Sequence, residues 1–380
     1  TEEQKSIQEL AAKFSHHELQ PIARSIETVA DRPVFLEKLK KLAELGFMGL
    51  NVKSDYGGTE AGVIAFSVAL TEIAKGCAST AVAMSVNNLV AEVLQAIGTE
   101  NQKRKYIPPI CDGTFSAGAF CLSESEAGSD PSRLRTRAEK VTGGWRITGT
   151  KMWISNAAYA GVFIVWALTD NKKPYGKGIT CFIVDSDNPG VEIGKEEQKL
   201  GQKASSTNSV IFTECFVDDD AILGQVNNGF KIALGELTGG RIGIASLALG
   251  IGTAALDYAA KYTSQREQFG KKISEFQGPQ FLLADSHTEK EAARLLTLHA
   301  AWLKETGNDY SKEASMAKLY SSEWSNRACY IALQLLGGIG YTTDSPIEKY
   351  SRDARVTTIY EGTSEIQRVI IAREILKDLT

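Results

Sequence analysis

The spacing of apolar residues changes character twice along the chain, and this constrains the fold more than any single motif. From residue 1 to about 115 it is helical. Ile7, Leu10, Ala11 and Phe14 fall at i, i+3, i+4 and i+7, the stripe by which a helix buries one face. Phe35, Leu39 and Leu42 repeat it, and Gly46 is placed to end that helix. Ser54-Asp55-Tyr56-Gly57-Gly58 predicts a turn, and 63–75 a further helix. Between about 116 and 225 the pattern becomes short and β-branched. Trp145 to Gly149 alternates, 162–166 and 179–184 are continuous apolar runs, and Ser209-Val210-Ile211-Phe212 is another. Clusters such as Asp187-Asn188-Pro189-Gly190 separate these strands, so the block predicts a compact barrel or sandwich. Helical spacing returns from about 226. Ile242 to Ala260, dense in Gly and Ala, together with 279–305, 311–336 and 364–377, fits a four-helix bundle.

A chain of 380 residues exceeds one core, so three domains are expected: 1–115 helical, 116–225 β, 226–380 helical, an α+β multidomain fold. The net charge of −4 argues against nucleic-acid binding. No uninterrupted apolar run approaches the roughly 18–20 residues that span a bilayer, so no membrane partner is expected. The N-terminus lacks a secretion pattern, and its first residue, not being Met, is compatible with prior removal of a targeting segment. Six scattered cysteines without a CxxC pair predict neither a disulfide framework nor a thiolate metal site, and fit a reducing compartment. Of four histidines, His299 lies in the row Ala292, Leu296, His299, Leu303 and is expected in a helix core. Neither HExxH nor ExxH occurs, so no metal is expected.

Four clusters offer chemistry, each with a plainer alternative. Cys121 to Asp130 is a small polar loop whose backbone N–H groups and hydroxyls suit an anionic or carbonyl-rich ligand edge; it also reads as a solvated loop. Lys151-Met152-Trp153-Ile154-Ser155-Asn156 puts an aromatic plane two residues from a hydroxyl, on one face of an extended segment, which suits a flat heterocycle; a buried core Trp is the alternative. Gln334 to Gly340 places three glycines after a helix, for a phosphate or simply as a helix stop. Without a preceding strand it is no Rossmann fingerprint. In Ile359 to Gln367, Ser364 or Thr363 would cap a helix with Glu365 in its first turn, which leaves Glu361 before the cap unexplained.

These clusters, in this order, resemble the acyl-CoA dehydrogenases from Asp55-Tyr56-Gly57-Gly58 to Ile375, and most closely the short-chain and short/branched-chain members. The most specific matches are Ser123-Glu124-x-x-Ala127-Gly128-Ser129-Asp130 with Lys151 to Asn156, and Arg352-Asp353-Ala354-Arg355 followed by Tyr360-Glu361-Gly362-Thr363. Lys199-Leu200-Gly201, Arg266-x-Gln268-Phe269-Gly270-Lys271 and Gln334-x-x-Gly337-Gly338 also match. The resemblance implies an N-terminal helical domain, a middle β-barrel, a C-terminal four-helix bundle, and FAD. Phe120, Leu122, Ser123, Gly128 and Ser129 would lie along the isoalloxazine, with Trp153 and Ser155 covering it. Arg266, Phe269, Gln277, Gln334 and Gly338 would touch a neighbouring subunit's FAD, and Thr363 and Glu365 its phosphate-binding turn. A cofactor shared in this way implies a homodimer or a homotetramer, a dimer of dimers.

Glu361 is implied as the base that takes the α-proton of an acyl-CoA thioester while the β-hydride passes to flavin, with Ser129, Arg241, Tyr360 and Gly362 at the substrate. Some relatives carry the base on the helix of Arg241, where this chain has Gly240. Ser125 replaces a usual proline, and Thr238 a frequent acidic residue that contacts the CoA pantetheine. Residues around Met84 to Asn88 and Leu94 to Ile97 are expected to set acyl length, favouring a C4–C6 linear or methyl-branched group. A glutaryl group is disfavoured by the lack of Arg at 79–85, and a cyclic group stays open. An electron-transfer flavoprotein would take the electrons, in a bacterial cytoplasm or a mitochondrial matrix. The rival readings are an oxygen-reoxidised oxidase and a non-catalytic helical binding protein.

Overall fold

The structure, a computed structural model, describes residues 1–377. Positions 378–380 of the expected C-terminal block lie outside the described residues. Five helices form the N-terminal part: α1 (Glu2–Phe14), α2 (Arg32–Glu44), α3 (Val63–Gly76), α4 (Ala78–Ile97) and α5 (Glu100–Cys111). Phe35, Leu39 and Leu42 are fully buried, and Gly46, at φ +79°, turns the chain just beyond α2. The α1 stripe is narrower than expected, since Ala11 and Phe14 are buried but Leu10 is exposed.

The middle part holds β1 (Ala117–Cys121), β2 (Arg137–Val141), β3 (Gly144–Ser155), β4 (Ala160–Leu168), β5 (Ile179–Asp185), β6 (Val191–Glu196), β7 (Thr207–Asp218) and β8 (Ile222–Leu223). They form one sheet in the order β6-β7-β3-β2-β4-β5-β8, with β1 also paired to β4. The expected barrel is thus an eight-stranded sheet in which no pair joins β6 to β8 among the described residues. It curls around Ile147, Phe163, Phe182, Val210 and Phe212. The outer face of β4 and β5, through Val162, Ile164, Trp166 and Ile183, packs with Val90, Leu94 and Ile107 of α4 and α5. Covered on both faces, these two strands read as continuous apolar runs instead of alternating.

The C-terminal part contains α6 (Gly229–Thr263), a small hairpin of β9 (Glu267–Gln268) and β10 (Lys271–Lys272), α7 (Gln277–Glu305), α8 (Ser311–Leu336), α9 (Ile347–Arg355) and α10 (Ser364–Leu376). The four helices expected here are α6, α7, α8 and the shorter α10. Gly250 lets α6 close on α3, where a Cβ would stand 2.3 Å from the Thr71 carbonyl oxygen. By length and composition α4 and α6 could each cross a bilayer, contrary to the expectation drawn from uninterrupted runs. Within the fold 78% and 83% of their apolar windows are buried, so here both serve as core helices. His299 is also corrected. It is exposed and stacks on Trp302, and the buried face of α7 is Ala293, Thr297 and Ala300, one residue out of phase with the expected row. All six cysteines are free and buried.

Candidate active site

The turn before α10 is held in an uncommon shape. Glu361 (φ +55°) and Gly362 (φ +90°) are consecutive left-handed residues, and a non-glycine residue there costs on the order of 1 kcal/mol or more. Gln367 Nε2 donates to the carbonyls of Glu361 (3.1 Å) and Gly362 (2.9 Å), and Lys318 Nζ donates to the Gly362 carbonyl (2.7 Å). Thr363 is the cap of α10, accepting from the Ile366 N–H at 3.3 Å. Ser364, the other candidate, has a buried hydroxyl without a partner, and Glu365 is exposed in the first turn.

The Glu361 side chain lies against α6 where that helix has no side chain. A Cβ on Gly240 would stand 2.9 Å from Glu361 Oε2. This oxygen is buried without a hydrogen bond. Arg241 and Lys318, both buried, approach it, yet neither forms an ion pair with it among the described residues. Burial therefore dominates and pushes the carboxyl up to about 7, with Arg241 and Lys318 pulling it down. The neighbouring Tyr360 phenol receives Gln202 Nε2 at 3.1 Å. The Gln202 N–H in turn donates to Asp353 (2.5 Å), which also takes Lys349 (2.6 Å). Arg352 reaches the Leu200 carbonyl (3.1 Å). The Lys199-Leu200-Gly201 and Arg352-to-Arg355 motifs therefore meet, and together they seat Tyr360.

The loop after β1 is laced to β3. Lys151, fully buried, donates to the Leu122 carbonyl (3.1 Å) and to Glu124 (2.7 Å), which also accepts the N–H groups of Arg135 and Thr136. Met152 N–H donates to the Ser123 carbonyl at 2.9 Å. Asn156 at the end of β3 donates to carbonyls of Ala83 on α4 and Gly118 on β1. Trp153 departs from both readings of the sequence. It is left-handed (φ +63°) at a register slip between Lys151 and Ile154, so strand alternation fails there. Its indole is 59% exposed instead of filling a core. The Ser123 and Ser155 hydroxyls make no hydrogen bond among the described residues. Gly128 and Ser129 are exposed, and a Cβ on Gly128 would meet nothing within 4 Å. Phe120 packs on Trp166 (4.3 Å between centroids) and shares an apolar cluster with Leu237 of α6, three residues before Gly240. An open aromatic plane beside uncommitted hydroxyls and bare backbone fits a flat heterocycle such as a flavin.

Arg266, Phe269, Gln277, Gln334 and Gly338 occupy exposed surface at the β9–β10 hairpin, the start of α7 and the end of α8. Phe269 is 94% exposed, and Gly337 (φ +62°) stops α8. Beside Gly240 a narrow cavity is lined by Val63, Phe66, Ser85, Leu89 and Gly243, with the Glu92–Lys304 ion pair (2.5 Å) in its wall. Of the residues expected to set acyl length, Ser85 lines this cavity. Leu94 instead packs toward the sheet, and Ile97 is exposed. No sequence pattern pointed to Phe66, Leu89 or Lys304, because the cavity is assembled from four separate helices.

Residues 1–114, 119–215 and 227–376 match the acyl-CoA dehydrogenase N-terminal, middle and C-terminal domains. The chain is 43% identical over 372 residues to the mitochondrial short-chain specific acyl-CoA dehydrogenase of Rattus norvegicus, covering 98% of this chain and 89% of that one. It is 40% identical over 379 residues to the acryloyl-CoA reductase (NADH) of Anaerotignum propionicum, covering 99% and 95%. Among solved structures, butyryl-CoA dehydrogenase from Megasphaera elsdenii superposes with a TM-score of 0.95 at 36% identity, over 99% of this chain and 98% of that one.

Proposed function

Because the chain belongs to the acyl-CoA dehydrogenase family, we propose that it converts a short or methyl-branched acyl-CoA thioester to the 2-enoyl-CoA, with Glu361 as the base. It is an FAD-dependent oxidoreductase of fatty acid metabolism. The observation that carries the reading is half-buried Glu361, its Oε2 enclosed and unpartnered, on a turn whose backbone is pinned from two helices. A carboxylate removed from water binds a proton more tightly, and an acyl chain that excludes the remaining water strengthens it further. The Glu361 N–H makes no hydrogen bond among the described residues, leaving it to donate to the thioester oxygen as charge develops there. Ser129, Arg241, Tyr360 and Gly362 would face the acyl-CoA.

Bound FAD supplies the acceptor for the β-hydride. Phe120, Leu122, Ser123, Gly128, Ser129, Trp153 and Ser155 would hold it, with Thr363 and Glu365 near its phosphates. Arg266, Phe269, Gln277, Gln334 and Gly338 would serve a neighbouring subunit's cofactor. Phe269, Phe281 and Tyr341 are exposed, and a homotetramer would give such side chains a surface to cover them. Domain limits near 115 and 225, an electron-transfer flavoprotein as acceptor, and a matrix or bacterial cytoplasmic site belong to the same reading.

The test is anaerobic titration of the FAD-loaded protein with butyryl-, 2-methylbutyryl-, cyclohexanecarbonyl-, glutaryl- and octanoyl-CoA. One of the short or branched members should bleach the flavin band, and Glu361→Gln should slow bleaching roughly 10²-fold or more while retaining FAD. Near wild-type bleaching in that variant would remove Glu361 from the role. The reductase relative favours a second reading, the same chemistry run toward saturation. NADH oxidation dependent on acryloyl-CoA and an added electron-transfer flavoprotein would support it.

A further inference from the structure

We propose that Lys318 is a positioning residue for Glu361, fixing the left-handed turn through the Gly362 carbonyl and supplying the charge that keeps the neighbouring carboxyl able to ionise. The inference rests on reading Glu361 as the base. Lys318 sits in the first half of α8 and is fully buried, where an ammonium is costly unless something compensates it. It forms no ion pair among the described residues. Its hydrogen bond goes to the Gly362 carbonyl at 2.7 Å, one peptide unit from the reacting side chain. Gln367 serves that same carbonyl and the one before it with a neutral amide. Hydrogen bonding alone therefore does not account for a lysine here, and what it adds to the turn is charge.

The charged groups facing Lys318 are Glu361 from the turn, Arg241 from α6, Glu365 from α10 and Glu323 on its own helix. Burial lowers the ammonium to about 7, with Glu361 opposing that shift and Arg241 adding to it. The carboxyl it faces has been raised to about 7 by the same loss of water. Each charge favours the other, so a proton on Lys318 makes the basic form of Glu361 easier to reach. With the cation gone, Arg241 alone would draw the carboxyl down, and Glu361 would hold its proton to higher pH.

The experiment measures the pH dependence of flavin reduction in FAD-loaded Lys318→Gln, Lys318→Met and Lys318→Arg, using whichever acyl-CoA bleaches the wild type. In Lys318→Gln and Lys318→Met the acid inflection should move up by at least about half a pH unit. The limiting rate should fall about tenfold in Lys318→Met while KM changes less than about threefold. Lys318→Arg should keep the wild-type inflection even if its rate is reduced. A slower rate with an unmoved inflection in both neutral variants would leave Lys318 a packing residue and overturn the proposal. If Lys318→Met does not fold, Lys318→Gln, which loses the charge but keeps an N–H donor on a slightly shorter side chain, decides the matter. Failure of the base itself reads differently, because Glu361→Gln would then still reduce its flavin.

Discussion

Gly240→Ala separates what α6 needs for stability from what Glu361 needs for chemistry. The added Cβ would lie 2.9 Å from Glu361 Oε2 and 3.2 Å from Cδ, so the carboxyl must retreat by about half an ångström to reach ordinary contact. The clashing atom is the far end of a flexible side chain, not backbone, so the fold can yield at small cost. Alanine also improves a helix interior over glycine by about 0.8–1 kcal/mol, and Gly240 lies well inside α6. Stability should therefore be unchanged or slightly raised. The rate should suffer, because a misplacement of about 1 Å can cost 10²-fold; half of that suggests about tenfold, or roughly 1.4 kcal/mol in the barrier. Stopped-flow anaerobic flavin reduction gives the rate, and thermal unfolding of the same FAD-loaded sample gives the stability. A rate within twofold of wild type would mean that the carboxyl is not confined against α6 as described. A melting temperature several degrees lower would mean that the contact yields through the helix backbone.

Two further outcomes follow from buried charges. Lys151→Met leaves Glu124 buried with only its two backbone donors, so unfolding should cost about 3 kcal/mol less in urea titration, and FAD retention on dilution should fall with it. Adding Glu124→Gln, which removes the stranded charge and keeps one oxygen for the backbone donors, should recover part of that stability, and no recovery would show that the ion pair is not what ties the loop to β3. Glu361 binds its proton more tightly folded (about 7) than unfolded (about 4.5). Its contribution is thus complete below pH 4.5 and lost as the pH rises through 7. Relative to wild type, Glu361→Gln should gain roughly 2–3 kcal/mol at pH 8.5 and much less at pH 5.5, and an equal difference at both would refute the raised proton affinity.

What could be read from the sequence is what depends on local spacing. The switch between helical and strand periods gave the order helical, sheet, helical, and the unbroken runs in β4 and β5 reflected burial on two faces. Glu361 stood out because a cap at Ser364 or Thr363 explained Ser364 and Glu365 and left it over. What escaped depends on contacts between distant segments. Trp153 was expected in an extended strand, but the register slip that turns its indole outward is set by pairing with β7, some fifty residues away. His299 was assigned to the wrong face because two rows about 100° apart on α7 look equally apolar. Lys318 gives no local signal at all, since its importance lies in a carbonyl forty-four residues further along the chain.

The seating of Tyr360 also bears on the order in which the protein can be made. Gln202 bonds Asp353 and Tyr360 across separations of 151 and 158 residues, and Gln367 closes the turn from beyond Glu361. Chain emerging from a ribosome can complete the sheet through β7, and with it β3 and the loop after β1, while everything from α6 onward is still to come. The turn that carries Glu361 cannot close until synthesis has passed Gln367, so the nascent protein can present the proposed flavin-facing surface well before the proposed base.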